Sequence, residues 1–412
     1  MKPGTVQVQQ PVQRERRGRD YGPDVPTLYR DCALLDLDAG RLQRAVSLLV
    51  VDDVIRGIRP ADSEGPLPAE VNVVDAGGTT AVPGMVDSHS HLTMPGGSHW
   101  IDRGADPTAD LLAAAEDNAR LLRQAGVRWA RDVGAPERDG RAVSLTVRDA
   151  WRGRREYPYV RAAGTWLGGA GASPQGLLLE AADGDALLAH ALRQLDNGAD
   201  LVKLYLDGPD RDTSPFTAHE VGRVVAAVHE RDATVTAHSG MLPGARVAAE
   251  ARVDCVEHGF ALDADVAAAM AAGGVALVAT LAVLESWRTF AATTEIPRFA
   301  SDEGRAAVGD RRERAHESVR LAHEAGVLIA AGTDFGGGSL RANQLAWEVQ
   351  TLVAAGLPPA AALAAATVNG GRVLGEPEAG RLREGGPADL VLVHGDPLSD
   401  PAALWRVWRT TW

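Results

Sequence analysis

The sequence of 412 residues predicts an α/β fold, a (β/α)₈ TIM barrel with a small composite β-sandwich domain formed by both chain ends. In the middle of the chain, eight short runs rich in Val, Ala and Leu alternate with longer helical patterns, which is typical of a parallel sheet wrapped by helices. On either side, short apolar runs separated by Gly, Pro and Asp indicate β-structure. We therefore predict a disordered tail over 1–26, a sandwich over 27–80 and 375–412, and a barrel over 81–374.

The predicted barrel strands are 82–86, 127–133, 159–163, 201–206, 234–237, 255–257, 275–280 and 327–331. Between them, 109–125 is predicted as a helix because Pro107 precedes it and Gly126 follows it. A second helix is predicted over 217–231, where Thr217 and Glu220 have the spacing of a capping box. A further helix is predicted over 358–368. The segment 284–311 is predicted to be an irregular insertion that forms a lid or a rim.

The composition predicts an ordinary soluble globular protein of the reducing cytoplasm, with 45% apolar and 24% charged residues. A formal net charge of −13 argues against a nucleic-acid or anionic-membrane partner, because both need a basic surface. No apolar run approaches the roughly 20 residues of a membrane span, and the N-terminus lacks the apolar core of a signal peptide. Cys32 and Cys255 alone provide no disulfide framework. Assembly into a homo-oligomer stays open.

Two histidines stand at the exposed end of the first predicted barrel strand. His89 and His91 are two residues apart, so they point to the same side of a strand and can share one metal ion. The ends of other predicted strands, where TIM barrels place catalytic groups, carry further candidates. The complete set of candidate metal ligands is His89, His91, Lys203, His238, His258 and Asp334.

Lys203 is the unexpected member of this set, because an ammonium group repels metal ions and cannot coordinate them. A carbamate formed from its amine and CO₂ is instead an anionic ligand with two oxygens that can bridge two metals. The chain thereby resembles the amidohydrolase superfamily, in its branch with a carboxylated lysine and a binuclear metal centre. The motifs that carry the resemblance are PGMVDSHSH (83–91), VKLY (202–205), TAHS (236–239), VEHG (256–259), AGTD (331–334), ADLVL (388–392) and GDP (395–397).

This resemblance implies a role for each candidate ligand. Two divalent metal ions are expected, with zinc as the first choice and manganese, cobalt or iron as alternatives. A water shared by the two ions would lose a proton and become the nucleophile. Asp334 would take that proton and pass it to the leaving nitrogen. The implied ligands are His89, His91 and Asp334 for the first ion, His238 and His258 for the second, and carboxylated Lys203 between the two.

Segments 331–334, 352–358 and 364–369 resemble the prolidase-like and imidazolonepropionase-like amidohydrolases. The loops 168–176 and 335–344 lack the histidine that many of those relatives carry, which leaves the substrate open. Tyr205, Arg131 and His99 are candidate substrate contacts. Their alternative interpretations are packing for Tyr205, an internal ion pair or support of the metals for Arg131, and an exposed loop position for His99.

The predicted function is hydrolysis of an amide or related C–N bond in a peptide-like or N-acyl-amino-acid-like molecule, on a metal-dependent hydrolase barrel over 81–374. The alternatives are a one-metal deaminase or cyclic-amide hydrolase, a lactone or ester hydrolase, and a non-catalytic homologue. Lys203 favours the two-metal enzyme, since a one-metal site needs no bridging lysine. The occupancy of all six ligand positions argues against a scaffold that has lost its chemistry.

Overall fold

A computed structural model describes residues 25–37, 39–172, 177–210 and 212–412. Almost all of the tail predicted over 1–26 therefore lies outside the described residues, as do positions 173–176 of the glycine-rich loop. Among the described residues, no helix combines the length and apolar character needed to cross a membrane.

The strands are β1 (Thr27–Asp36), β2 (Arg41–Val51), β3 (Val54–Pro60), β4 (Asn72–Asp75), β5 (Thr79–Pro83), β6 (Met85–Ser90), β7 (Val127–Asp132), β8 (Glu137–Arg138), β9 (Arg141–Ala142), β10 (Tyr159–Ala162), β11 (Leu167–Gly169), β12 (Leu179–Ala181), β13 (Leu201–Tyr205), β14 (Thr234–Ser239), β15 (Cys255–His258), β16 (Ala276–Ala279), β17 (Ile329–Ala331), β18 (Leu390–His394) and β19 (Val407–Thr410).

The α-helices are α1 (Thr108–Gln124), α2 (Val143–Trp151), α3 (Gly184–Asp196), α4 (Ala218–His229), α5 (Leu242–Ala251), α6 (Ala264–Gly273), α7 (Ala282–Phe290), α8 (Pro297–Ala300), α9 (Asp302–Glu324), α10 (Leu345–Ala354), α11 (Pro359–Ala365) and α12 (Val368–Val373). Helix α4 begins with the predicted capping box, in which the Thr217 and Glu220 side chains each accept from the other's backbone N–H.

In the described part of the chain, eight parallel strands form the predicted barrel in the order β6, β7, β10, β13, β14, β15, β16 and β17. They fall into two arcs, which isolated parallel bridges close. Ala163 pairs with Leu201 at one junction, and Ser90 pairs with Phe335 at the other. Seven of the eight predicted barrel strands are confirmed with small differences at their ends. The first, predicted over 82–86, is displaced: residues 82 and 83 belong to β5, which pairs with β18, and the barrel strand β6 begins at Met85 and ends at Ser90. The carboxyl ends of these strands therefore meet at one mouth, where catalytic groups of such barrels lie.

Both chain ends contribute to one seven-stranded sheet among the described residues, in the order β19-β18-β5-β1-β2-β3 with β4 paired to β1. Strand β18 runs antiparallel to β5, with Leu390 opposite Pro83. Leu390 and Leu392 pack into the sheet's own core, whereas Val391 and Val393 pack into the barrel core. Successive side chains along a strand point to opposite faces of the sheet. Strand β18 therefore packs one face against the core of its own sheet and the other face against the barrel.

Two sequence expectations differ from the structure. The segment 284–311 is not irregular: it is largely helical, in α7, α8 and the first part of α9, and each of these helices packs against the next. The helix predicted over 358–368 is two short helices, α11 and α12. They are interrupted at Thr367, whose φ of −137° and ψ of −102° are not helical, while its hydroxyl donates to the carbonyl of Leu363.

Candidate metal centre

His89 and His91 lie at the mouth of the barrel, where β6 ends. Their Nε2 atoms are 3.4 Å and 3.3 Å from the same oxygen, Oδ1 of Asp334, which follows β17. The two rings lie 5.3 Å apart between centroids. The prediction that the two side chains point the same way is therefore confirmed, and Asp334 faces both of them.

His258 completes a compact group with these residues. Ligand atoms of His89, His258 and Asp334 all lie within 4.8 Å of one another. His258 and Asp334 both have a positive φ, 68° and 54°, so the backbone leaves its strand conformation at each of them. These departures turn both side chains toward the mouth at the points where β15 and β17 end. Imidazole and carboxylate donors at such distances are a set that suits a divalent cation.

His238 at the end of β14 extends the group toward Tyr205. Its ring centroid is 4.6 Å from that of His258 and 4.3 Å from that of Tyr205, with the His238 and Tyr205 planes nearly parallel at 8°. Its Nε2 faces Oδ2 of Asp207 at 3.5 Å. Its buried Nδ1 has no hydrogen-bond partner among the described residues. An orphaned buried ring nitrogen beside other histidines fits a metal ligand.

Lys203 lies beneath this group with a side chain that is 1% exposed. Its Nζ has no hydrogen-bond partner within the described part of the chain and lies 5.7 Å from the Tyr205 ring centroid. Burial, assisted by Arg131, lowers the pKa of the Lys203 amine to about 8, although Glu257 and Asp334 act in the opposite direction. A buried amine with no acceptor and a lowered pKa fits conversion to a carbamate ligand.

Three of the histidines are held through their Nδ1 atoms, which leaves Nε2 for a metal. His91 Nδ1 is 2.7 Å from the carbonyl oxygen of Gly134, and His258 Nδ1 is 2.7 Å from Oγ1 of Thr280. His89 Nδ1 is 2.6 Å from a carboxylate oxygen of Glu257. Partners of this kind fix the tautomer and orientation of metal-ligating histidines.

Glu257 is a residue of the site that the sequence analysis missed. It also accepts from Arg131 and from the Thr236 hydroxyl. Burial by itself would raise the pKa of Glu257, but the charges of Arg131, Lys203 and His89 hold it far below its usual range. The available signal was its position next to His258 in the VEHG motif. Strand alternation, however, assigns adjacent residues to opposite faces, and only the positive φ of His258 brings both side chains to one site.

Two of the predicted substrate contacts are placed elsewhere. The Arg131 guanidinium is buried, donates to the carbonyl of Ser88 at 2.7 Å and pairs with Glu257. It therefore supports the site through Glu257, which is one of the alternative interpretations given for it above. His99 is also placed differently, because its side chain is 68% exposed and its Nδ1 lies 3.6 Å from Asp102. Tyr205 does lie at the site, next to His238.

A cavity of about 980 Å³ opens onto the site. Tyr205, His238, His258 and Asp334 line its inner part. The remaining wall includes residues from α7, α8 and α9, so the segment 284–311 does form a rim, as predicted. Those residues include Trp287, Arg298, Val308, Asp310 and Arg311, and α9 adds Arg314.

Comparisons with known proteins show which family the chain is similar to. The sequence profile of the amidohydrolase family matches residues 80–410. An uncharacterised protein of Mycobacterium tuberculosis (strain H37Rv) is 31% identical over 370 residues, which are 88% of this chain and 89% of that protein. Imidazolonepropionase of Anaeromyxobacter dehalogenans is 28% identical over 360 residues, 79% of each chain.

Solved structures share the fold. A Xaa-Pro dipeptidase crystallised with methionine in its active site has a TM-score of 0.80 at 23% identity, over 93% of this chain and 98% of that one. The predicted resemblance to amidohydrolases and the predicted barrel architecture are therefore confirmed.

Proposed function

This chain belongs to the amidohydrolase family, and we propose that it is a binuclear metal-dependent hydrolase of an amide or related C–N bond in a peptide-like or N-acyl-amino-acid-like small molecule. The observation that carries the proposal is Lys203. A buried amine without a hydrogen-bond partner among the described residues lies within electrostatic reach of Asp334 and of three histidines, His89, His238 and His258. A carbamate on this amine gives the site the bridging ligand that a pair of cations needs.

We divide the proposed ligands between two cations. Such cations, when bound, activate water and polarise a scissile carbonyl as Lewis acids. Zinc is our first choice, because its usual ligands, besides thiolates, are imidazole nitrogens and carboxylate oxygens. The proposed ligands are His89, His91 and Asp334 for one ion, His238 and His258 for the other, and the Lys203 carbamate for both.

We assign the movement of the proton to Asp334. Burial would raise the pKa of Asp334, yet the neighbouring His89, His91 and His258 hold it well below its usual value, so the carboxylate is ionised at neutral pH. An ionised carboxylate at the inner end of the cavity can accept a proton from the attacking water. It can then deliver that proton to the leaving nitrogen. Glu257 meanwhile holds His89 in one tautomer through Nδ1.

A cyclic amide is the second candidate substrate. The similarity to an imidazolonepropionase over 79% of each chain favours it. Both substrates use the same proton movement at Asp334, and they differ only in whether the leaving nitrogen stays attached to the product. A one-metal deaminase is less well supported, since it has no use for the buried amine of Lys203.

Metal analysis and a substrate panel test the proposal together. We expect two divalent ions per chain in gently purified protein, counted by elemental analysis. We also expect the metal-loaded protein to release the amine from at least one member of a panel of N-acyl amino acids, dipeptides and cyclic amides. Active protein with a metal content near zero would contradict the mechanism. Hydrolysis of lactones alone would contradict the proposed bond type.

A further inference from the structure

The chain folds back over the metal-binding residues immediately after Asp334. Gly336, Gly337 and Gly338 follow one another in this loop, and Gly337 and Gly338 line the cavity together with Asp334. Residues 336–338 therefore present only backbone to the mouth of the barrel. Whatever they contribute to the site has to come from the close approach of that backbone.

Gly337 lies against the ring of His91. A Cβ atom on Gly337 would lie only 2.0 Å from Cδ2 of His91 and 2.5 Å from its Nε2. Non-bonded carbon atoms pack at about 3.5–4.0 Å, so a methyl group at this position would overlap the imidazole. The affected edge of the ring carries Nε2, which is the atom that lies 3.3 Å from Oδ1 of Asp334.

The backbone conformation of Gly337 does not require glycine. Gly336 has a φ of +83°, in the left-handed region that favours glycine, whereas the φ of Gly337 lies outside that region. The backbone at position 337 is therefore compatible with alanine. The reason for glycine at this position is the contact with His91.

The His91 ring has little room to move aside. Its Nδ1 is 2.7 Å from the carbonyl oxygen of Gly134, and its centroid is 5.4 Å from that of Trp166. The side chain is buried. Turning the ring away from a methyl group at position 337 would break the hydrogen bond to Gly134 and carry Nε2 away from Asp334.

The loop is also held in place on both sides of Gly337. The backbone N–H of His91 donates to the carbonyl of Phe335 at 3.0 Å, and the N–H of Gly97 donates to the carbonyl of Ser339 at 3.1 Å. The Ser339 hydroxyl is bonded to a serine hydroxyl of α7, 2.5 Å away. A shift of Gly337 away from the ring would therefore disturb hydrogen bonds to the segment after β6 and to the rim.

We propose that Gly337 is a positioning residue of the metal centre: its backbone packs against His91 and fixes the ring with Nε2 directed to Asp334, and no larger residue can do so. This role rests on the proposed function, in which His91 and Asp334 bind the same ion. Gly337 itself binds no metal and does not take part in breaking the bond. It keeps one ligand of the first ion in place.

Zinc retention by the metal-loaded full chain tests this role, because Gly337→Ala adds only a methyl group. Each protein is dialysed against a graded series of EDTA concentrations, and the zinc left per chain is counted on folded protein. We expect Gly337→Ala to release its first zinc ion at an EDTA concentration about 10–10²-fold lower than the wild type does, as is typical when a metal-ligating histidine loses its support. A role in stability alone would leave zinc retention by the folded protein unchanged.

The matched control is Gly222→Ala on α4, where a Cβ atom would meet nothing within 4 Å. This variant should retain zinc as the wild type does. Wild-type retention by Gly337→Ala would overturn the inference and leave the proposed function intact. A wild type that holds no zinc is a separate result, which counts against the proposed function.

A double-mutant cycle tests the contact without metal, and it decides the question if Gly337→Ala folds poorly. His91→Ala removes the ring that the methyl group would overlap. Gly337→Ala should therefore lower the urea midpoint of unfolding in the wild-type background and change it little in the His91→Ala background. Equal losses in the two backgrounds would show that the methyl group is excluded by something other than His91, and would overturn the inference.

Discussion

Oε2 of Glu257 lies 2.6 Å from Nδ1 of His89, and the other oxygen of the same carboxylate accepts from the buried guanidinium of Arg131. One side chain thus orients a proposed metal ligand and neutralises a charge beneath the site. The carboxylate is fully buried, so neither partner can turn to solvent instead. Positioning of the metal ligand and stability of the barrel interior therefore depend on the same residue.

Replacing Glu257 with Gln should affect both properties. The amide keeps the size of the side chain but loses the charge. Its NH₂ group then replaces one of the two acceptor oxygens, and it faces either His89 Nδ1 or the Arg131 guanidinium, which needs an acceptor. We expect kcat/KM to fall about 10–10²-fold, as is typical for partners of metal-ligating histidines. The free energy of unfolding should fall by about 3–5 kcal/mol, because Arg131 is left buried without its counter-ion. Steady-state kinetics and denaturant unfolding measure the two effects.

The matched control is Glu317→Gln, which removes an exposed carboxylate paired with Arg320 on α9. An exposed pair contributes at most about 1 kcal/mol, and activity should not change. If Glu257→Gln were as mild as this control, Glu257 would have neither of the roles assigned to it.

Lys203→Ala should abolish turnover, because it removes the proposed bridge between the two cations. Short carboxylic acids or bicarbonate should restore part of the activity by supplying the missing oxygens. An independent readout is ¹³C NMR of protein equilibrated with ¹³C-bicarbonate. We expect a carbamate carbon signal in the wild type and none in Lys203→Ala. A fully active protein with two metals and no such signal would refute the carbamate.

The sequence predicted the barrel and the six candidate ligands because both follow from local rules. Parallel strands buried on both faces read as short apolar runs, and their carboxyl ends converge whatever the details of packing. Alternation along a strand correctly placed His91 with His89, and Tyr205 with Lys203. These predictions needed no knowledge of which distant residues come into contact.

The remaining features depend on contacts that no local pattern encodes. Glu257 and Arg131 form an ion pair although they are 126 positions apart in the sequence. The sequence around either residue therefore does not indicate the pair. The positive φ of His258 turns its side chain away from the face that strand alternation predicts for it. His99 stands close to the first strand's ligands in sequence, but its loop turns the side chain to solvent. The rim segment 284–311 is polar enough to suggest a loop, yet contacts among its helices and aromatic residues keep it helical.

Glu348 gives a prediction for the pH dependence of stability. It is fully buried on α10, and its Oε2 accepts from the backbone N–H of Ala282 at 2.6 Å, where α7 begins. Burial raises the pKa of Glu348 from about 4.5 to about 8, against the lowering effect of its backbone hydrogen bonds to Ala282 and Leu281. The folded protein therefore keeps a proton that the unfolded chain releases. The free energy of unfolding should consequently fall as the pH rises from about 5 to about 8.

Glu348→Gln should remove that pH dependence, because the amide carbonyl can still accept from Ala282 but cannot ionise. Between pH 5 and pH 8, the decrease in unfolding free energy should be smaller in the variant than in the wild type by about 2–4 kcal/mol. Denaturant titrations at several pH values measure it, and Glu317→Gln should follow the wild-type curve. Parallel curves for Glu348→Gln and the wild type would show that Glu348 is already ionised at low pH.

Asp334→Asn separates proton movement from metal binding. Asn keeps the size of the side chain and one oxygen that can face His89 and His91, but it cannot accept a proton from the attacking water. Turnover should fall by about 10²–10⁴-fold, the usual effect of losing a general acid–base group. Because loss of metal would also stop the reaction, the metal content must be counted on the same sample.

His323→Ala is the control, since His323 is exposed on α9. This variant should turn over substrate at the wild-type rate. Near-normal turnover by a fully metal-loaded Asp334→Asn would mean that another group moves the proton.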